Sequence, residues 1–123
     1  VVAWAACMVL DWLSGSAAAA SRGEWASSVA RDGIWHKAGM IVVVCVAALT
    51  DAVLSIAVAN LPGLGITYQS LILPVVLVWY IFTELGSIAE NAAHMGADVP
   101  DGLLKLLAAG KKAAERQSKD DEE

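Results

Sequence analysis

Four carboxylates stand almost alone in apolar sequence: Asp11, Asp51, Glu84 and Glu90. The chain has 13 acids and 8 bases, and most of the others sit elsewhere. Twelve charged residues fall in 98–123, and Arg22, Glu24, Arg31, Asp32 and Lys37 share one stretch between hydrophobic runs. An isolated acid in such surroundings is tolerated when it is neutral, paired or hydrogen-bonded. Ionised at the centre of a bilayer it costs about 2.5–3.5 kcal/mol. Asp51 is therefore expected to face protein or water. Two roles fit it. It promotes helix association or lines a water-filled passage, or it is a carboxyl hydrogen-bonded to Ser55 or a neighbouring helix with no further role. Lys37 is expected to snorkel toward a membrane surface.

Other chemistry lacks its residues. Cys7 and Cys45 lie inside hydrophobic runs, which supports neither a disulfide framework nor a zinc motif. His36 and His94 have no partner at ligand spacing and read as incidental interfacial polarity. The sequence holds no P-loop, no Gly-x-Ser-x-Gly and no His-Glu-x-x-His. No cofactor and no metal are expected, and a net charge of −5 argues against a nucleic-acid partner.

The elements that must position these residues are membrane segments. The chain is 58% hydrophobic and 17% charged, against about 25% charged in a typical soluble domain. Segments 40–59 and 64–83 each hold 20 residues, one with Asp51 as its sole charge and the other with none. At ~1.5 Å per residue each spans a hydrocarbon core of ~30 Å. A chain of 123 residues cannot bury two such helices in a water-soluble core. A third segment, 1–20, contains Asp11. Either it spans with Asp11 at mid-membrane, or Asp11-Trp12 marks the interface and the natural chain begins upstream of Val1. Trp12 as an interfacial anchor favours the second reading.

Lysine and arginine set the expected topology. Arg22, Arg31 and Lys37 in the first connection, and Lys105, Lys111, Lys112, Arg116 and Lys119 in the tail, put both in the cytoplasm. The uncharged hairpin 60–65 then lies outside, turned by Pro62, Gly63 and Gly65. Trp35 and Trp79 are expected near the cytoplasmic ends of the second and third segments, in an aromatic belt. The first connection, with Trp25 and Trp35, is either a short interfacial helix or a solvated loop. Pro74 is expected to kink its helix or free a carbonyl. The third helix is expected to continue to Met95 and stop at Gly96, with Pro100 opening another. There, Leu103, Leu106 and Leu107 form the apolar stripe of a helix that lies on the cytoplasmic leaflet or pairs with a copy of itself. Residues 119–123 read as a solvated charged end.

Small residues line up with the acids: Ala47, Asp51, Ser55 and Ala59 every four positions, and Ala3, Cys7, Asp11, Ser14 and Ala18 every three or four. Such stripes let helices approach closely in lipid. The opposite face of the second segment, with Val42, Val46, Leu49, Val53 and Ile56, suits lipid. The expected fold is an all-α integral membrane protein with two to three transmembrane helices and a cytoplasmic amphipathic C-terminal helix. It divides into a transmembrane unit, 1–97, and the C-terminal helix and tail, 98–123.

Motif order adds a resemblance. It begins with Asp11-Trp12-Leu13-Ser14-Gly15, then Ser27-Ser28, Gly33-Ile34 with Lys37, and Ala47-Ala48 with Asp51. It continues through Glu84, Ser87-Ile88, Glu90-Asn91, Gly96 and Pro100 ahead of Leu103-Leu104. Over roughly Met8 to Leu107 this resembles the bacteriophage holin family that includes the clostridial toxin-secretion holins. No one motif is specific by itself; the order carries the likeness. Family members usually have more hydrophobic sequence before the aspartate motif, and a charged cytoplasmic tail like the one here.

The resemblance implies a lysis protein of the bacterial host's inner membrane. Such a protein accumulates and then oligomerises into lesions that release or activate an endolysin, or let a toxin out. Its partners would be the bilayer, further copies of itself and, functionally, an endolysin. The residues that its motifs and the small-residue stripes together implicate in packing are Asp11, Ser14, Gly15, Gly33, Lys37, Ala47, Asp51, Ser55, Glu84, Ser87, Glu90 and Asn91. Two other classes stay open. Glu84 to Asn91 faintly resembles the Glu- and Asn-containing motif of small bacterial diacylglycerol kinases, which would make the chain a membrane enzyme. A non-lytic antiholin or membrane assembly subunit is the other.

Overall fold

The computed structural model describes residues 1–24, 26–61, 63 and 65–122, and among them the chain forms four helices and no strand. They are α1 (Val2–Ser21), α2 (Ser27–Ala59), α3 (Ile72–His94) and α4 (Asp101–Glu122). The first three are long and apolar enough to cross a membrane.

Helix ends follow from local chemistry. After α1, the N–H of Gly23 bonds Ala20 and that of Glu24 bonds Ala19; after α3, Gly96 bonds Ala93 and Ala97 bonds Ala92. Both are the paired closure in which a left-handed residue satisfies the last carbonyls, and Gly23 (φ +69°) and Gly96 (φ +95°) supply it. The expected stop at Gly96 is where α3 ends.

The first connection is neither a separate interfacial helix nor a loop over most of its length. No proline falls between Ser27 and Ala59, so α2 propagates through 33 residues, about 50 Å. Its first turns extend beyond the apolar run 40–59. Trp25 lies outside the described residues.

The third segment begins later than expected. Residues 65–71 are not helical, and α3 starts at Ile72. Pro74 thereby falls in the first turn, where its missing N–H would have had no intrahelical partner, so neither a kink nor a freed carbonyl results. Pro62 and Leu64 lie outside the described residues; Gly65 nearby has φ +62°.

Pro100 opens α4 by accepting the N–H groups of Leu103 and Leu104, and Glu123 lies outside the described residues. The helix does not stand apart from the spans; it folds back antiparallel along α3. Leu104, Leu107 and Ala108 face Phe82, Thr83 and Gly86 across a cleft, and Ala114 is buried, while Leu103 and Leu106 stay exposed.

The central helix is α3. It packs against α1, α2 and α4, and α1 also touches α2. Trp4 stacks on Tyr80 at 6.3 Å and Ser87 reaches Asp11, so α1 runs parallel to α3. The core between α1, α2 and α3 is Trp4, Met40 and Val44, with Met8, Leu73, Val76, Leu77, Tyr80 and Ile81 around it. On α2 the inward stripe is Met40, Val44, Ala47 and Asp51, spaced as one helical face. Val42, Val46, Leu49, Val53 and Ile56 all point outward. So much exposed aliphatic surface on a rigid face suits hydrocarbon rather than water.

Candidate functional site

Three helices bring charge together at the end of this core. Lys37 of α2 donates to Asp11 Oδ2 of α1 and to Glu84 Oε2 of α3, each at 2.9 Å. Asp11 Oδ1 accepts from Ser87 Oγ at 2.6 Å and from Asn91 Nδ2 at 3.1 Å. The same Asn91 nitrogen approaches Ser14 Oγ at 3.0 Å, and the Ser14 hydroxyl bonds the Asp11 carbonyl at 3.2 Å. Side-chain exposure is 13% for Lys37, 17% for Asp11 and 4% for Glu84. Lys37 therefore does not snorkel. Two carboxylates at one level of α1 and α3 hold its ammonium inward, where charge-assisted bonds are short and strong.

Close backbone approach frames the cluster. A Cβ at Gly15 would stand 3.4 Å from Asn91 Nδ2, and one at Gly33 3.1 Å from Trp12 Cδ1. Trp12 lies across Gly33 and donates its indole N–H to the Ala30 carbonyl at 3.2 Å. It thus ties α1 to α2 instead of standing free as an anchor. A cleft of about 210 Å³ opens beside the cluster, lined among others by Trp12, His36, Lys37, Ser87 and Asn91.

The structure thus gathers Asp11, Ser14, Gly15, Gly33, Lys37, Glu84, Ser87 and Asn91. Glu84, Ser87 and Asn91 follow the i, i+3, i+7 spacing of one face. Glu90 is off that face and exposed, beside the cleft between α3 and α4. On α1 the inward stripe opens with Trp4, and Ala3 is exposed.

Asp51 forms a second polar point, separate from the first. It is 3% exposed and serves as the N-terminal cap of another helix. Its Oδ1 accepts from the backbone N–H of Ile72 at 3.1 Å and, more distantly, of Leu71 at 3.4 Å; Oδ2 accepts from Leu73 at 2.8 Å. Tyr68 adds its hydroxyl to Oδ1 at 2.5 Å. The first N–H groups of a helix have no intrahelical partner, and an acid at that end also meets the positive end of the helix dipole. Of the two roles expected for Asp51, the geometry matches the bond to a neighbouring segment, though not to Ser55, which is exposed two turns nearer the end of α2 than the Ala47 level. Ala47 is buried beside this point.

Three aromatic residues complete the picture. Tyr68 lies in irregular chain, and nothing in its spacing ties it to Asp51. Trp79 was expected near a helix end but lies in the first third of α3. Its N–H donates to Glu115 at 3.0 Å, and the Lys111 ammonium sits 5.0 Å above its ring. Trp35 is 75% exposed.

Nothing in these two polar points resembles a nucleophile with its base. They are bonds between helices, at positions where the helices are apolar enough to cross a bilayer. Comparisons with known proteins agree with that character. An uncharacterized protein of Halalkalibacterium halodurans is 36% identical over 100 residues, covering 81% of this chain and 69% of its own length. No solved structure matches the chain. The profile described as the bacteriophage holin family matches residues 1–112, which include both polar points, α1 to α3 and the first half of α4. The chain belongs to the bacteriophage holin family.

Proposed function

We propose that this protein is a lesion-forming holin of the host cytoplasmic membrane, crossing it several times with the first connection and the C-terminus in the cytoplasm. Residues 1–97 form the transmembrane unit, and 98–123 carry the amphipathic C-terminal helix and charged tail. Copies associate laterally and open a passage for an endolysin or a toxin, for which direct contact with that cargo is not required. The supporting observation is the Asp11–Lys37–Glu84 cluster. It joins three spans within one chain and leaves two carboxylates to one ammonium. Paired in this way, charge is tolerated in the intact bilayer. The cluster holds the three spans together as one unit in the intact bilayer and in the lesion alike, so copies assemble as finished bundles. A membrane potential acts at ~2.3 kcal/mol per charge per 100 mV, so collapse of the potential is enough to tip a balanced assembly. Such a passage needs no catalytic residue.

Inducible expression with a potential-sensitive dye tests this. Growth is expected to continue and then end in sudden depolarisation, with lysis when a cell-wall hydrolase is present. Sustained growth and potential at full expression would overturn the proposal and favour a non-lytic membrane subunit. Vesicle leakage unaffected by an imposed potential would remove the voltage link alone.

A further inference from the structure

The α4 helix lies where its composition does not belong in an intact bilayer. It runs antiparallel beside α3, with Gly110 against Phe82, Glu115 bonded to Trp79, and Lys119 sharing a cleft with Val75 and Val76. Its charged half is thus level with the most apolar part of α3. Lys112, Glu115, Arg116 and Lys119 are all exposed there. Hydrocarbon against that face is untenable. On α2, by contrast, the outward residues are aliphatic. In cross-section the subunit therefore has a lipid face on α2 and a water face on α4. At 22 residues α4 is about 33 Å long, enough to match the ~30 Å hydrocarbon core. The fit to α3 is close: a Cβ on Gly110 would come within 2.5 Å of the Phe82 ring, and Lys111 stacks over Trp79.

We infer that the arrangement with α4 docked on α3 is that of the subunit in an open lesion, and that the exposed face of α4, Lys112, Glu115, Arg116 and Lys119, is the wall of the aqueous passage. In the intact bilayer α4 leaves α3 and stays at the surface with its C-terminus in the cytoplasm, pivoting at Gly96 to Pro100; the C-terminus reaches the far side only through the open lesion. This rests on the lesion-forming reading above.

The test uses the full chain with Cys7→Ala and Cys45→Ala, and Phe82→Cys with Gly110→Cys joined by a short reducible crosslinker. The protein is reconstituted in dye-loaded vesicles of phosphatidylethanolamine and phosphatidylglycerol. Tied subunits are expected to leak dye at least as fast as untied ones. Gly110→Leu, which pushes α4 off Phe82, is expected to slow leakage. In planar bilayers at ~10 mM salt, where the Debye length is ~30 Å, Lys112→Glu with Arg116→Glu and Lys119→Glu is expected to shift the reversal potential toward cation selectivity. Tying that abolishes leakage, with cleavage of the tie restoring it, would overturn the inference and make α4 a strap over α3. An unshifted reversal potential would also overturn it. A parent chain that never leaks overturns the lesion-forming reading itself, and this inference with it.

Discussion

Replacing Lys37 with methionine keeps the unbranched stem of the side chain and removes its charge. Two 2.9 Å bonds disappear, and Asp11 and Glu84 are left facing one another with little access to water. Each charge-assisted bond is worth ~1.5–3 kcal/mol net, and orphaning one side of a buried pair typically costs ~3–5 kcal/mol. The two routes agree on ~3–5 kcal/mol for Lys37→Met. At about 4 °C per kcal/mol for a chain of this size, the melting temperature drops by ~12–20 °C. Thiol-reactive dye melting in detergent measures it. In a Cys45→Ser background the half-buried Cys7 on α1 becomes the reporter of unfolding. The informative comparison is the neutral set, Lys37→Met with Asp11→Asn and Glu84→Gln. Removing all three charges leaves none orphaned, so this set is expected to melt nearer to the parent than the single variant does. Lys37→Met melting with the parent, or the neutral set falling as far as the single variant, would refute the argument that an uncompensated charge is the source of the loss.

Asp51→Leu strips the cap from α3 and leaves its first N–H groups and the Tyr68 hydroxyl without this acceptor, a loss expected at the upper end of the ~0.5–2 kcal/mol for a helix cap or beyond it. Asp51→Asn, which keeps one acceptor, loses less, and hydrogen exchange at Ile72 and Leu73 reads the difference; equal protection in both variants would contradict the capping role. Pro74→Ala is expected to change stability by less than ~1 kcal/mol, because the proline sits in a first turn; a gain near the ~3 kcal/mol of a relieved mid-helix proline would place the start of α3 earlier. Gly33→Val collides with Trp12 and is expected to cost ~1–3 kcal/mol by the same dye-melting assay, with Gly33→Ala intermediate. Asn91→Leu removes the amide that bonds Asp11 and Ser14 and is expected to lower stability by ~1–3 kcal/mol in the same assay, more than Ser14→Ala, which removes a single hydroxyl.

The spans were readable because hydrophobic length is a property of composition, and the polar members of the main cluster were readable because charge inside such a span is rare. What spacing along one helix cannot reveal is the level at which two helices meet. Lys37 near the start of an apolar run has the pattern of a snorkelling side chain, and only the positions of Asp11 and Glu84 on other helices turn it inward. The start of α3 was misplaced for a related reason. Residues 64–71 are uncharged and so pass as part of a span, although Thr67, Tyr68, Gln69 and Ser70 make them less apolar than those that follow; the helix start is marked by Asp51, 21 positions upstream of Ile72, where the first free N–H groups find an acceptor. For α4 the apolar stripe was visible, but Gly110 carries no sign in sequence that Phe82 will lie against it. The five aliphatic residues expected on the outward face of α2 do lie there, but Ser55 and Ala59, expected on its packing stripe, are exposed as well, because that stripe finds a neighbour only as far as Asp51.

The two polar points sit on α2 at Lys37 and Asp51, fourteen residues apart, or about 21 Å along the axis. Neither point borders lipid: both side chains turn inward, while the aliphatic outer face of α2 runs on past Asp51 to Ile56. A slide of α2 by one turn, ~5.4 Å, would break both points at once. The pair therefore locks the vertical register of the bundle from within and leaves its hydrocarbon exterior uninterrupted.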